Sequence, residues 1–397
     1  MGKKGTKSRK PGLLASISLW TLRSTVAVLT VLVCLLLLLS GFSDLISPNT
    51  WVIPSFLGIA FGVLMLVGGL WSLTLLLTRR WRCLLAMVVT FVIIIVPARR
   101  YLPLHVSDNQ PLTTSASGTE IDHIQRIRLL TYNTNLMGHA KLNDHKQPIP
   151  VLDVVKQSQA DIVCMQEYSF SSARNGYSLD RLRQLTAGLY PHYDFTPYSY
   201  NRRSGLVILS KYPILKIDRI DHQKTDYIAA MYYQLDVDGQ PLGIVNMHLQ
   251  SNKLSKEDRQ LYSDMIGHFE ADSLSRIRSG MMHSLSVAWR HRANEVDKIK
   301  AYIHDHHPAD MPLLICGDMN DTPVSYSSHT LRSLDLTDTW QETGLGLGIT
   351  YSAHRFWFRI DHIFHSSRLR ALRSNVRRDI GYSDHYPLEA TFQLLPE

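Results

Sequence analysis

Between Ser24 and Thr78 the chain carries one charged side chain, Asp44. Stretches this apolar demand a nonaqueous environment, and length says which. Ser24 to Ser43 is dominated by Leu and Val, and Leu45 to Thr78 is longer than a helix needs to cross about 30 Å of hydrocarbon. A third stretch, "CLLAMVVTFVIIIVPA" from Cys83 to Ala98, is short for a span, but flanking Arg side chains can reach the headgroups. Three transmembrane α-helices are expected, near 17–43, 52–78 and 83–98, within a membrane anchor covering 1–104. No small-residue cleavage site precedes the second apolar run, which argues against a cleaved signal peptide.

Cations set the expected orientation. "MGKKGTKSRK" and "TRRWR" are basic while the Gly41 to Thr50 loop has no Lys or Arg, so the N-terminus and the Thr78 to Arg82 loop belong in the cytoplasm. Three spans then export the remainder, as suits a bacterial inner membrane protein; a third segment lying on the surface would leave it inside. Through Leu104 there are 11 Lys and Arg against one acid, and beyond it 31 against 33. The net +8 therefore belongs to the anchor, and the rest has no cationic field suited to long nucleic acid. All 18 His lie after Leu104, which confines metal-binding and titratable chemistry to the C-terminal part. Cys34, Cys83, Cys164 and Cys316 fall in or beside apolar runs and read as unpaired thiols.

Residues 105–123 include the polar "VSDNQPLTTSASGTE" and read as a flexible linker. From 124 to 397, runs such as "RIRLLTY", "DIVCM", "GLVILS", "GIVNMHL", "PLLIC" and "LEATFQLL" have the pattern of buried strands, and "VLDVVKQSQ", "LDRLRQLTAGL" and "RANEVDKIKAYIHDH" have helical spacing. Sheets covered by helices follow.

Polar residues recur where these apolar runs stop. Asn133 follows "LLTY", Glu167 follows "DIVCMQ", and His248 ends "GIVNMH"; Asp318 and Asn320 follow "PLLICG", Asp361 sits in "RIDHIF", and Asp384 and His385 precede the last strand. One such residue would be an ordinary turn former. Six strand ends or starts offering acids, amides and two imidazoles point to a shared cleft. Converging carboxylates of Glu167, Asp318 and Asp384 would repel one another and any anion unless a hard cation held them. Oxygen ligands of this kind suit Mg2+ or Mn2+, which bind through carboxylates and a substrate phosphate; no Cys-x-x-Cys or close His pair suggests structural zinc. Asn135, two positions past Asn133, reads as a local turn residue.

"TYN", "QE", "MHL", "GDMND", "RIDHIF" and "SDHYP" occur in the order and strand context of the endonuclease/exonuclease/phosphatase superfamily, and the chain resembles these deoxyribonuclease I-like hydrolases from about Ile124 to Leu394. The resemblance implies an α+β fold, a four-layer α/β sandwich of two packed, mainly antiparallel sheets flanked by helices. It further implies Asn133, Glu167 and Asp384 as metal-site residues, with Glu167 the principal ligand. Asp318 would orient or deprotonate the attacking water, Asn320 would hold it, and His248 would contact a phosphoryl oxygen or the leaving group. His385 would be the second catalytic His, oriented by Asp361. The expected activity is metal-dependent phosphoester hydrolysis. Substrates within the superfamily's range include nucleic acid, phospholipid or sphingomyelin headgroups and small phosphate esters; a silent module binding a phosphorylated ligand is the alternative of another class. No obligate protein partner is evident. Arg202 and Arg203, or Arg377 and Arg378, offer local basic strips, and residues 252–290 read as added helix whose "MMHSLSVAW" packs on the domain, covers the cleft or touches lipid.

Overall fold

The computed structural model describes residues 13–105, 126–138, 150–169, 179–199, 204–220, 229–252, 271–351, 353 and 357–395. The expected linker lies almost wholly outside the described residues, as do Arg202, Arg203 and most of the 252–290 segment's first half.

Twelve strands are described. One six-stranded sheet has the order β11 (Leu369–Val376), β12 (Leu388–Leu394), β1 (Arg126–Asn133), β2 (Ile162–Ser169), β4 (Ser204–Ser210), β3 (His192–Pro197). The other has the order β5 (Ile214–Ile220), β6 (Ala230–Val237), β7 (Gln240–His248), β8 (Leu313–Asp318), β10 (Asp361–His365), β9 (Thr337–Asp338). Each contains one parallel pair, β1 with β2 and β7 with β8, and is otherwise antiparallel, so both sheets are mixed. Alternating side chains let each sheet bury two faces. Ile127, Leu129, Ile208, Ile244, Leu314 and Phe392 pack between the sheets, where the free thiols of Cys164 and Cys316 also sit. Val151 and Val155 of α6 (Pro150–Ser158) and Leu182 of α7 (Leu179–Thr186) cover the outer face of the first sheet; Val296, Ile299 and Leu331 cover that of the second. The result is the helix–sheet–sheet–helix layering expected from the sequence.

The N-terminal region differs from expectation in its breaks. Among the described residues one helix, not three, is long and apolar enough to span a membrane unaided: Thr21–Gly41, mean hydropathy 2.5, within α1 (Leu13–Gly41). The other two apolar stretches are bent pairs, α2 (Ile53–Ile59) with α3 (Phe61–Leu77) at 62°, and α4 (Trp81–Ile93) with α5 (Ile95–Tyr101) at 64°. The second break has a chemical cause, since Pro97 has no N–H to give the Ile93 carbonyl. The first lies beside Gly58, where an added Cβ would stand 2.9 Å from the Val324 carbonyl oxygen. Leu37, Phe61, Leu75, Met87 and Ile94 form one buried cluster, which Val324 of the sandwich enters.

That intrusion is part of a wider seam. Asp44, 1% exposed in the turn Ser43–Leu45, pairs with Arg332 at 2.8 Å, with Arg100 at 3.2 Å and with His329 at 3.7 Å. Asn49 donates to Asn294 Oδ1 at 2.8 Å, and Phe56 meets Trp289 edge-on at 4.7 Å. Trp289 belongs to α8 (Ala271–His306), a 36-residue helix that merges the later part of the 252–290 segment with the helix expected from Arg292. The end of "MMHSLSVAW" therefore packs against the N-terminal helices.

Candidate active site

Strand register assembles the site. On the second sheet His248 pairs with Asp318 across β7 and β8, and Asp318 pairs with Asp361 across β8 and β10, so three polar residues stand side by side at one sheet end. Gly317 permits this approach: its φ is +137°, and a Cβ there would collide with the Met247 carbonyl oxygen. From the first sheet, Asn133 ends β1 and its Nδ2 donates to Asp318 Oδ2 at 2.8 Å. Glu167 sits in a register break between β2 and β4, at φ +51°, where a bulge turns its side chain out of the regular alternation.

Beneath the site, amides tie the sheets together. Gln166 Nε2 donates to Asn246 Oδ1 at 2.7 Å and to Thr131 Oγ1 at 3.1 Å, and Asn246 Nδ2 donates to the Val207 carbonyl at 3.0 Å. All three polar residues are fully buried, so this bonding offsets their desolvation.

Asp318 is the hub. Its Oδ1 accepts from the Asn320 N–H at 2.8 Å and its Oδ2 from Asn320 Nδ2 at 3.1 Å. Oδ2 also lies 3.6 Å from His248 Nε2 and 3.7 Å from His385 Nε2. Burial pushes the Asp318 carboxyl up to about 6, against the opposing pull of His385. His385 Nδ1 bonds Asp361 Oδ2 at 2.8 Å. Burial alone would lower the His385 pKa, but the charges of Asp361 and Asp318 outweigh it and push it up to about 10, so the ring is an imidazolium. His248 moves the other way, lowered chiefly by burial. Its Nδ1 lies 2.7 Å from Tyr198 Oη, which accepts the Glu167 N–H at 2.7 Å. This contact orients the imidazole, whose Nε2 lies 3.6 Å from Glu167 Oε1.

Ser383 Oγ donates to the Asn133 carbonyl at 2.8 Å, and the His385 N–H donates to Ser383 Oγ at 3.1 Å, which fixes this segment to the end of β1. The Asp384 charge raises the pKa of both His385 and Tyr132, after burial in the latter case.

All eight residues singled out in the sequence thus belong to this end of the sandwich, with two differences in arrangement. Asn133 and Asn320 each direct an amide N–H at Asp318 and brace it; the Asn133 oxygen accepts from the Asn135 N–H at 2.9 Å, the local turn expected for Asn135. The acids and imidazole whose ligating atoms lie within 4.8 Å of one another are Asp318, Asp361 and His385, a different trio from Asn133, Glu167 and Asp384. Sequence reasoning missed Tyr198, Ser383 and Tyr351, whose ring lies 4.9 Å from that of His385. Tyr198 and Tyr351 carry no local signal, because each acts on a partner brought near by folding; Ser383 stands inside "SDHYP", but its bond to the Asn133 carbonyl is set only by the fold.

Oxygen donors crowd this pocket. Asp361 Oδ1 is buried with no hydrogen-bond partner among the described residues, and Glu167 and Asp384 remain partly exposed beside it. Such a set fits a hard divalent cation.

Two mixed sheets between helices thus gather acids and two imidazoles at one end, and sequence comparison gives the class as a hydrolase of phosphoric esters. A profile described as "Endonuclease/Exonuclease/phosphatase family" matches residues 130–385, and the chain belongs to that family. Residues 23–101 match a second profile, "Domain of unknown function (DUF8431)". No curated protein matches. Similar solved structures include an endonuclease/exonuclease/phosphatase from Beutenbergia cavernae DSM 12333, at 17% identity over 68% of this chain and 72% of that one, TM-score 0.47. Another, from Bacteroides vulgatus, has 18% identity over 68% and 99%, TM-score 0.44. D. rerio TDP2 complexed with single strand DNA product has 15% identity over 67% and 98%, TM-score 0.45.

Proposed function

We propose that the protein is a membrane-anchored phosphoesterase that uses Mg2+ or Mn2+. One observation carries the reading: Asp318 Oδ2 lies within 3.7 Å of Nε2 of both His248 and His385. That is a constellation for placing a water against a phosphorus atom and stabilising what forms. Glu167 and Asp384, with the oxygen of Asn133, would hold the metal. A divalent ion supplies neutralisation of charge on the phosphoryl oxygens.

The chain's own residues do the rest. Asp318, braced by Asn133 and Asn320, orients the water and accepts its proton. His385, kept cationic by Asp361, donates to a phosphoryl oxygen. His248, oriented by Tyr198 through Nδ1, presents Nε2 to the leaving oxygen. Water contributes hydroxide to phosphorus and a proton to the departing alcohol, and the bond from phosphorus to that alcohol breaks.

The membrane reading concerns residues 1–104, with 105–123 as linker and 124–397 as the catalytic domain. Each bent pair is taken as one broken span, making three crossings with α1. Two observations support this. The loop after α1 reaches the catalytic domain through Asp44 and Asn49, and the end of α5 reaches it through the Arg359 side chain bonded to the Arg100 carbonyl and through the Gly346 N–H donated to Pro103 at 2.8 Å. Both ends therefore meet one domain, whereas α4 starts at the basic Arg79–Arg82 turn at the opposite end of the bundle. An odd number of crossings puts a cytoplasmic N-terminus and the catalytic domain on opposite faces.

The test is hydrolysis of bis(4-nitrophenyl) phosphate by the full chain in detergent with Mg2+, Mn2+ or chelator. Asp318→Ala should abolish metal-dependent turnover while the thermal transition stays in place; most of the activity surviving would refute the reading.

A further inference from the structure

His248 ends β7 and Asp318 ends β8, register partners across a parallel pair. Beyond each the chain leaves the sheet in an irregular segment, 249–252 after β7 and 319–322 after β8. The two segments touch. The Leu249 N–H donates to the Asp318 carbonyl at 3.0 Å, and Asn320 Nδ2 donates to the Leu249 carbonyl at 3.1 Å. Whatever sets these segments therefore sets how His248 meets Asp318.

One buried side chain of α8 reaches both. Arg292 is 1% exposed, and its Nη1 donates to the Gln250 carbonyl and to Asn252 Oδ1, each at 2.8 Å. Its Nε lies 3.5 Å from Asp321 Oδ2. Three residues along the helix, Glu295 accepts the Gln250 N–H at 2.7 Å. Gln250 and Asn252 lie two and four residues beyond His248, and Asp321 lies three beyond Asp318. A buried cation needs a partner, and Asp321 alone would supply one. The guanidinium instead spreads its donors over the segments that follow two catalytic side chains, as a planar fork can and a single ammonium cannot. Helical spacing puts Arg290 and Asn294 on the opposite side of α8. There Asn294 Oδ1 accepts from Asn49 at 2.8 Å, and Arg290 Nε donates to the Pro48 carbonyl at 3.4 Å. This stretch of helix is thus gripped from both sides, and it cannot turn about its axis without breaking those bonds.

We propose that Arg292 is a positioning residue for the reaction: its fork, with Glu295, holds the segments after β7 and β8 in the one arrangement that keeps His248 Nε2 3.6 Å from Asp318 Oδ2. It acts through those segments and not on the reacting atoms. This role rests on the phosphoesterase reading and adds to it a residue outside every motif of the sequence. Displacements of about 1 Å between reacting groups cost on the order of 100-fold in rate, so a loosened grip shows in turnover before it shows in substrate binding. Asp321 makes the grip two-sided: its Oδ2 also accepts from Ser327 Oγ at 3.0 Å and its Oδ1 from the Thr322 N–H at 3.1 Å, which fixes the carboxylate that Arg292 faces.

Steady-state hydrolysis of bis(4-nitrophenyl) phosphate by the full chain in detergent with Mn2+ is measured beside the thermal midpoint for Arg292→Lys, Arg292→Met and Asn252→Ala. Arg292→Lys keeps a cation facing Asp321 and should hold the midpoint above that of Arg292→Met. Its kcat per folded enzyme should nonetheless fall on the order of 100-fold, with KM within about twofold of the parent's. Asn252 is half-buried, and its truncation removes one arm of the grip without orphaning a charge. Asn252→Ala should lower kcat about tenfold at an unchanged midpoint. Parental kcat in either Arg292→Lys or Asn252→Ala would reduce Arg292 to an ion pair of the fold and overturn the assignment, with the phosphoesterase reading left standing. Should Arg292→Lys fail to fold, Asn252→Ala decides alone. No hydrolysis by the parent chain would sink both.

Discussion

Tyr198 touches His248 and Glu167 at once, through one phenol oxygen. Removing that oxygen should leave the ring packed and the imidazole unoriented. Tyr198→Phe is expected to lower kcat by roughly 10- to 100-fold, as loss of an orienting partner commonly does, with KM nearly unchanged in steady-state assays; a normal kcat would show that the bond does not position His248. The His385–Asp361 pair has a pH signature. The folded-state pKa of His385 is raised to about 10, from about 6.5 in an unfolded chain. Its contribution is therefore full below about 6.5 and lost as pH rises toward 10. The opposite shift of His248 and the raised Asp318 act below that window. Denaturation midpoints of the metal-stripped protein should fall from neutral pH to pH 10, and Asp361→Asn should flatten the decline; parallel curves for the two proteins would contradict the pairing.

At the scale of elements, Gly317 is the position where β8 tolerates least. Any side chain there meets the Met247 carbonyl, and the +137° φ adds strain for any other residue. Gly317→Ala should cost about 3 kcal/mol or more, read as a lowered thermal midpoint; an unchanged midpoint would mean that β7 and β8 can part without penalty. The strands that carry the site were legible in the sequence, because each is an apolar run with a polar residue at its end or start, and Asn133, Glu167, His248, Asp318 and Asp361 mark those points; β3, β5, β9 and β11 were not, because their sequences HYDFTP, ILKIDRI, TD and LRALRSNV are short or interrupted by polar and charged residues. The bracing of Asp318 by two amides was not legible, since it depends on which atom of Asn133 and Asn320 faces the carboxylate. Tyr198 lies 50 residues from His248 and Ser383 lies 250 from Asn133, separations at which no local pattern can announce a contact. The bend near Ala60 was hidden for the same reason: Gly58 reads as one more small residue in an apolar run until Val324 is packed against it.

Across the whole molecule, Asp44 joins two regions that composition alone separates. It is the only acid before His105, and it faces Arg332, whose pKa burial lowers to about 10, together with Arg100. Asp44→Ala leaves these cations uncompensated at a cost of roughly 3–5 kcal/mol, the usual range for breaking a buried pair. Hydrogen exchange should then quicken in α9 (Tyr326–Arg332) while β1 and β2 stay protected; equal protection throughout would mean that the pair does not hold the seam. Cutting the chain in the 105–123 stretch would do more than release a soluble enzyme. It would strip the cover from Val324 and Trp289 and orphan the guanidinium of Arg332. A stable form of residues 124–397 alone would therefore need that scar resurfaced with polar side chains, because the N-terminal helices and the sandwich are fitted to each other as halves of one body.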